Sequence, residues 1–208
     1  MRNAAPVRRV PIQERSKRRY EAILDAAAVV FADRGFETAT MEDIAAGADS
    51  AIGSLYQFFP DKRAVFQALA ERCLDRTRSA FEALSTSGPA RVAWPDAIDA
   101  MIDGFAALHR SDPSFRAVLM NLQMYGLYAE RDTALHRFIV TQVAGKLGEL
   151  ASGLPAAERQ LVATMIVTTI ATMLFVSHRA QPAAARAILA ETKVMLRHYL
   201  GKRLAKNS

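Results

Sequence analysis

The apolar residues of this chain recur with the period of an α-helix from its first quarter to its last, and no stretch shows the alternating, β-branched pattern of strands and hairpins. Apolar groups three and four residues apart fall on one face of a helix, and such a face is buried only by packing helix against helix. The sequence therefore predicts an all-α fold. Breaks with turn or helix-start chemistry fall at Gly35, Phe59-Pro60, Ser85 to Pro89, Trp94-Pro95, Ser111 to Pro113, Ala151 to Pro155 and Gln181-Pro182, which divide the chain into about nine helices. No segment repeats at a fixed period, so a solenoid is not expected.

The amino-terminal quarter carries the most specific pattern. Ser16 to Arg34 reads as a helix with Ile23, Ala27 and Phe31 on one row and Leu24 and Val30 beside it. Gly35 stops it, in the left-handed conformation of a C-terminal cap with Phe36 folded back. Thr40 and Asp43 have the spacing of a capping box for a second helix. That helix is short, because Ala48-Asp49-Ser50 supplies turn chemistry before a third stretch, Ile52 to Phe58, and Asp61 can cap the next helix. Two short helices behind a longer one, joined by a tight turn, form a helix-turn-helix. Three parts follow: a basic arm over 1–14, a helix-turn-helix domain over 15–62, and a larger helical bundle over 63–208. Helices are expected there over 61–84, 95–109, 112–128, 132–151, 156–179 and 183–203.

Charge is distributed in keeping with this division. The chain has 27 Lys and Arg against 21 Asp and Glu, a formal net charge of +6. Arg2, Arg8, Arg9, Arg15, Lys17, Arg18 and Arg19 stand against Glu14 alone in the first twenty residues, which matches the whole excess. Residues 21–63 carry three cations against eight carboxylates. The arm is thus expected to hold nucleic acid by counterion release, with modest direct readout by the third helix, which has no Arg to pair with guanine.

The string Gly35-Phe36-Glu37-Thr38-Ala39-Thr40-Met41-Glu42-Asp43-Ile44-Ala45, followed by Ile52-Gly53-Ser54-Leu55-Tyr56-Gln57-Phe58-Phe59-Pro60-Asp61-Lys62, resembles the TetR family of bacterial transcriptional regulators. The resemblance implies a homodimeric repressor that binds double-stranded operator DNA and is released by a small apolar or amphipathic effector. It implies phosphate contacts from Thr40, Tyr56 and Lys62, with Arg18 also counted as DNA-binding, and base-edge contacts from Ile52, Gly53, Ser54 and Gln57. The chemistry of these residues agrees: Gly53 has no side chain to hold the backbone off, Ser54 can donate or accept, Gln57 has the bidentate amide that suits adenine, and Ile52 can meet a thymine methyl. Asp49 and Ala51 replace the family's usual Gly and Ser, so Ser50 or Asp49 is expected to cap the third helix.

In the family the last two helices form the dimer interface, and Ile188, Val194, Met195 and Tyr199 offer an apolar stripe on the last. For an effector, Met101, Phe105, Met120, Gln123, Met124, Tyr128, Thr168 and Thr172 supply the soft apolar walls and few polar groups of a pocket, though the same composition describes an ordinary core. Tyr125 and Phe138 share that character.

Catalytic, metal-binding and cofactor-binding patterns are missing: there is no Gly-x-Ser-x-Gly, no His-Glu-x-x-His and no glycine-rich phosphate loop. Cys73, the single cysteine, is expected to be buried packing. A basic, polar amino terminus and a single cysteine point to a reducing, cytoplasmic location. Gln160 to Ser177 lacks formal charge, but its apolar part, Leu161 to Val176, rises only ~24 Å against a hydrocarbon core of ~30 Å, so it is expected between helices and not in a membrane. Two other readings remain, a helix-turn-helix regulator controlled by a protein partner without a small-molecule effector, and a helical enzyme.

Overall fold

The structure, a computed structural model, describes residues 14–86, 94–150 and 153–204, and these form nine α-helices and one 3-10 helix with no strand among them. In chain order they are α1 (Glu14–Thr38), α2 (Met41–Gly47), α3 (Ile52–Phe58), α4 (Lys62–Thr86), α5 (Trp94–Ser111), α6 (Pro113–Met120), the 3-10 helix (Leu122–Leu127), α7 (Ala129–Leu150), α8 (Ala156–His178) and α9 (Pro182–Leu204). Of the basic arm expected over 1–14, all but Glu14 lies outside the described residues.

The chain divides into two compact units, and neither ends at the expected boundary between 62 and 63. The first runs through Arg76 and takes in His109–Arg131; the second holds Thr77–Leu108 and the chain from Asp132 onward. The difference has a physical cause within the first unit. Among the described helices α1 packs most extensively on α6, far from it in sequence, so that α6 completes the core of the helix-turn-helix part.

That core is aromatic. Phe31, Phe36 and Phe66 meet with ring centroids 5.3 to 5.7 Å apart, and Tyr20 packs on Phe58 at 5.9 Å and Phe59 at 5.2 Å. Such pairs contribute about 0.5 to 1.5 kcal/mol each beyond the area they bury. A polar lattice flanks it. Arg72 of α4 donates to Glu21 (2.9 Å) and Asp25 (2.8 Å) of α1 and to the Ser114 hydroxyl of α6 (2.9 Å). Arg76 binds Asp112, whose carboxylate also caps α6 by accepting from the Ser114 amide at 2.9 Å.

Burial pushes the Asp112 carboxyl up, but the Arg76 hydrogen bond, the Ser114 bonds and the Arg76 charge outweigh it and hold it below the ordinary carboxylate range. A carboxyl with a lowered folded-state pKa stabilises fully above its unfolded value, about 3.9, and loses that contribution as pH falls through the folded one. Asp112→Asn is therefore expected to cost about 1 to 2 kcal/mol at neutral pH, the outward exposure of Arg76 discounting the larger cost of a fully buried pair. Melts of the two proteins from neutral pH into strong acid should converge at the acid end; a constant gap would contradict this role.

Two sequence expectations need correction here. Gly35 does have positive φ, but at φ 74°, ψ 166° it lies outside the left-handed helical region, in backbone space that only glycine enters at low cost. The chain thus kinks at Gly35 and continues as a helical turn to Thr38 instead of closing a Schellman cap. The helix expected over 112–128 is broken at Asn121, whose side chain bonds backbone groups and leaves α6 and the 3-10 helix as separate elements.

In the second unit α5, α7, α8 and α9 share a core that includes Ile102, Leu154, Val162 and Leu200. Trp94 begins α5 and packs against this core with its ring near Gly201 of α9. On α8, Val162, Ala163, Ile166, Val167, Ile170, Leu174 and Ser177 are buried on one face. The other face is not enclosed by the bundle as expected: Leu161 is 55% exposed and Met165 49%, with Thr168, Thr172 and Val176 continuing the stripe. α8 is long and apolar enough to cross a membrane by length and composition, and a buried face in a soluble bundle meets the same test.

Candidate nucleic-acid interface

The geometry of α2 follows its cap. Asp43 N–H donates to Thr40 Oγ1 at 3.1 Å and Thr40 N–H to Asp43 Oδ2 at 3.2 Å, the reciprocal pair of a capping box. The Thr40 bond, together with Arg34 at 2.6 Å, holds the Asp43 carboxyl below its usual range. Three of the eight carboxylates of residues 21–63 thus have cationic partners, Glu21 and Asp25 through Arg72 and Asp43 through Arg34.

The turn into α3 accommodates the unusual Asp49 directly. Asp49 has φ 46°, the one positive value outside glycine among the described residues, and Asp tolerates it better than most side chains. Its amide donates to Ala46 O at 3.2 Å and that of Ser50 to Ala45 O at 3.0 Å. The expected substitute cap does not form: Ala51 is the N-cap of α3 and no side chain bonds the first turn. Backbone bonds from Ser54 and Leu55 to Ala51 O start the helix instead.

Burial fixes which way α3 faces. Leu55 and Phe58 are buried, so the opposite face is turned out: Ile52 is 37% exposed and Tyr56 40%, with Gly53 and Gln57 also exposed and Ser54 half-buried. Thr40 and Arg18 are exposed as well. Gly53 is informative because nothing lies within 4 Å of where its Cβ would be. A glycine inside an exposed helix costs about 1 kcal/mol relative to alanine, and no neighbour within this chain requires it.

Lys62 departs from the role the resemblance gives it. Its Nζ donates to Phe36 O and Glu37 O at 2.9 Å and to Ala39 O at 3.0 Å, and sits 4.8 Å from the Phe36 ring centroid. All three ammonium donors are engaged on the end of α1, so the side chain is a C-terminal clamp. Lys62→Gln is expected to lower stability by about 1 to 3 kcal/mol. It should leave the slope of log affinity against log salt unchanged, where loss of a phosphate contact would flatten it by about 0.9. A flattened slope would restore the phosphate role.

The predicted effector residues are divided between the two units. Met120, Gln123, Met124 and Tyr128 belong to the first and Met101, Phe105, Thr168 and Thr172 to the second. Phe105, Met124 and Tyr128 are core, whereas Met120, Gln123, Thr168 and Thr172 are exposed. Met101 is half-buried against the second core, and the Thr168 hydroxyl lies 3.5 Å from His136 Nε2. A shallow cleft of about 520 Å³ is lined by Trp94, Arg197, His198, Gly201 and Lys202, none of them predicted. On α9, Val194 and Met195 are exposed, Ile188 and Tyr199 half-buried. Burial pushes the Cys73 thiol up to about 12, with Asp112 adding to it, so Cys73 is an inert core group.

Sequence reasoning missed Asn121 and the Arg34–Asp43 pair. A lone Asn within a helical pattern gives no signal beyond a break, and Arg34 and Asp43 are too far apart in sequence to form a local helix pair.

Comparison with known proteins bears on this face directly. Residues 23–69 match the family described as bacterial regulatory proteins, tetR family, and residues 93–200 match the tetracyclin repressor-like C-terminal domain, which alone spans more than half of the chain. The chain belongs to the TetR family. Its members are DNA-binding transcription regulators and not enzymes. This TetR-family chain is 36% identical over 92 residues to the HTH-type transcriptional repressor LfrR of Mycolicibacterium smegmatis, covering 44% of the chain and 46% of that relative. The chain spans less than half the length of the curated relatives it matches. Among solved structures it is similar to a TetR-family regulator from Streptomyces coelicolor, with 27% identity, a TM-score of 0.63, and coverage of 88% of this chain and 98% of that one. It also shares the fold of a Pectobacterium atrosepticum TetR-family regulator at 20% identity and a TM-score of 0.69, over 95% and 100% of the two chains.

Proposed function

We propose that this chain is a repressor that binds a palindromic operator as a homodimer in the cytoplasm and is released by a small apolar or amphipathic molecule. The outward face of α3 carries the reading: Ile52, Gly53 and Gln57 point away from a core that holds Leu55 and Phe58, and the bare backbone at Gly53 can approach base edges. Ser54 is assigned to base edges, and Tyr56, Thr40 and Arg18 to phosphates, with Lys62 left as a clamp. The exposed stripes of α8 (Leu161, Met165, Val176) and α9 (Val194, Met195) support pairing through the last two helices. An isologous pair presents one reading helix to each half-site. An effector lowers operator affinity by preferring a dimer whose reading helices are wrongly spaced. Met101, Phe105, Met120, Gln123, Met124, Tyr128, Thr168 and Thr172 are the residues assigned to it.

Gln57→Ala tests the reading at one position. If the amide pairs bidentately with adenine, the variant should lose about 1 to 3 kcal/mol of discrimination at a single base pair of each half-site. Affinities for an operator and its single-base variants measure this; equal losses on every duplex would make Gln57 a backbone contact.

A further inference from the structure

The joint between α1 and α2 is held from two sides. Lys62 takes the carbonyls of Phe36, Glu37 and Ala39 on one side. On the other, Asn121, 2% exposed at the corner where α6 ends, uses its whole carboxamide. Its Oδ1 accepts from the Phe36 amide at 2.8 Å and from Gln123 Nε2 at 3.3 Å, and its Nδ2 donates to Phe31 O at 3.3 Å and Ala117 O at 2.7 Å. The kink at Gly35 lies against the same amide, since a Cβ there would be 3.8 Å from Asn121 Oδ1. A buried amide with both donors and its acceptor used has one orientation, and leaving its partners unmet is costly. Phe36 is thereby fixed by its N–H to α6 and by its C=O to α4, three residues before Ala39 and Thr40 lead into α2.

We propose that Asn121 is a positioning residue for DNA reading: it ties the α1–α2 joint, and with it the placement of the α2–α3 pair, to the end of α6. A shift of that corner reaches the reading helix through Phe36 with no DNA contact changed. This rests on the reading of α3 given above. It also gives α6 a part in setting operator affinity that composition does not suggest.

The test uses the full chain and a duplex selected by the wild-type protein. Asn121→Ala should weaken binding about tenfold or more, as loss of a buried hydrogen-bond network worth one to two such bonds implies. Hydrogen exchange should speed up at the Phe36 amide while that of Leu69, in the α4 core, stays slow. Affinity within twofold of wild type, or Phe36 and Leu69 accelerating together, would overturn the proposal. Asn121→Asp keeps the acceptor for Phe36 and loses both donors, so it should fall between the two proteins in affinity. Should Asn121→Ala not fold, the aspartate variant decides the matter: binding more than twofold weaker than wild type with Leu69 exchange still slow supports the role, and affinity within twofold of wild type, or faster exchange at Leu69, overturns it. A wild-type protein that selects no duplex would defeat the reading of α3 itself, whereas a variant that binds as well as wild type would defeat only the role of Asn121.

Discussion

Replacing Gly53 with leucine is expected to abolish specific operator binding while leaving the thermal midpoint unchanged or raised. Both halves follow from the same observation, that beyond its chain neighbours and the helix's own backbone nothing lies within 4 Å of the missing Cβ. Within the protein the new side chain enters open space, and an exposed helical glycine gives up about 0.5 to 1 kcal/mol of helix stability that alanine or leucine recovers. Against DNA the same side chain stands in the gap through which the backbone approaches. The helix cannot roll to relieve it, because Leu55 and Phe58 lock its other face into the aromatic core. A loss of at least about a hundredfold in affinity, some 2.7 kcal/mol, is expected in a retardation assay. Gly53→Ala should show a smaller loss with the same gain in stability. A leucine variant that binds normally would mean that α3 does not approach a duplex closely.

The second large effect concerns α8. Met165 is 49% exposed at the middle of an apolar stripe, and in an isologous pair the same residue enters the interface from both subunits. Met165→Glu therefore buries two carboxylates without partners at once and is expected to yield monomers. Its own fold should be unaffected, since the side chain makes no part of the core. Operator affinity should drop by about 10² to 10⁴, because the second reading helix no longer binds at high effective concentration. Sedimentation measures the first and retardation the second. A dimer that survives the substitution would move the interface to another face.

The helix-turn-helix was legible because its signals are local. The capping pair Thr40–Asp43, the buried row of Ile23, Ala27 and Phe31, and the cap of α4, where the Ala64 amide donates to Asp61 at 2.8 Å, each depend on residues a few positions apart. The outward face of α3 came from the resemblance to the TetR family and not from periodicity, since a seven-residue helix holds too few turns to fix a face by pattern alone. What escaped the sequence depends on distant partners: Asn121 meets Phe36 across 85 positions, and Lys62 finds carbonyls more than twenty residues back. The joining of α6 to the first unit, by its packing on α1, likewise depends on residues far apart in sequence. A pattern of apolar residues states that a helix face is buried, but not against which helix. Composition likewise did not separate the core residues Phe105, Met124 and Tyr128 from the exposed Thr168 and Thr172.

Selection of bound sequences from random duplex DNA tests the central claim most directly. If two copies of α3 read base edges together, the enriched sites should form one palindrome whose half-sites lie about one helical turn, or a multiple of it, apart. Enrichment of a single asymmetric motif, or of no sequence over any other, would contradict it.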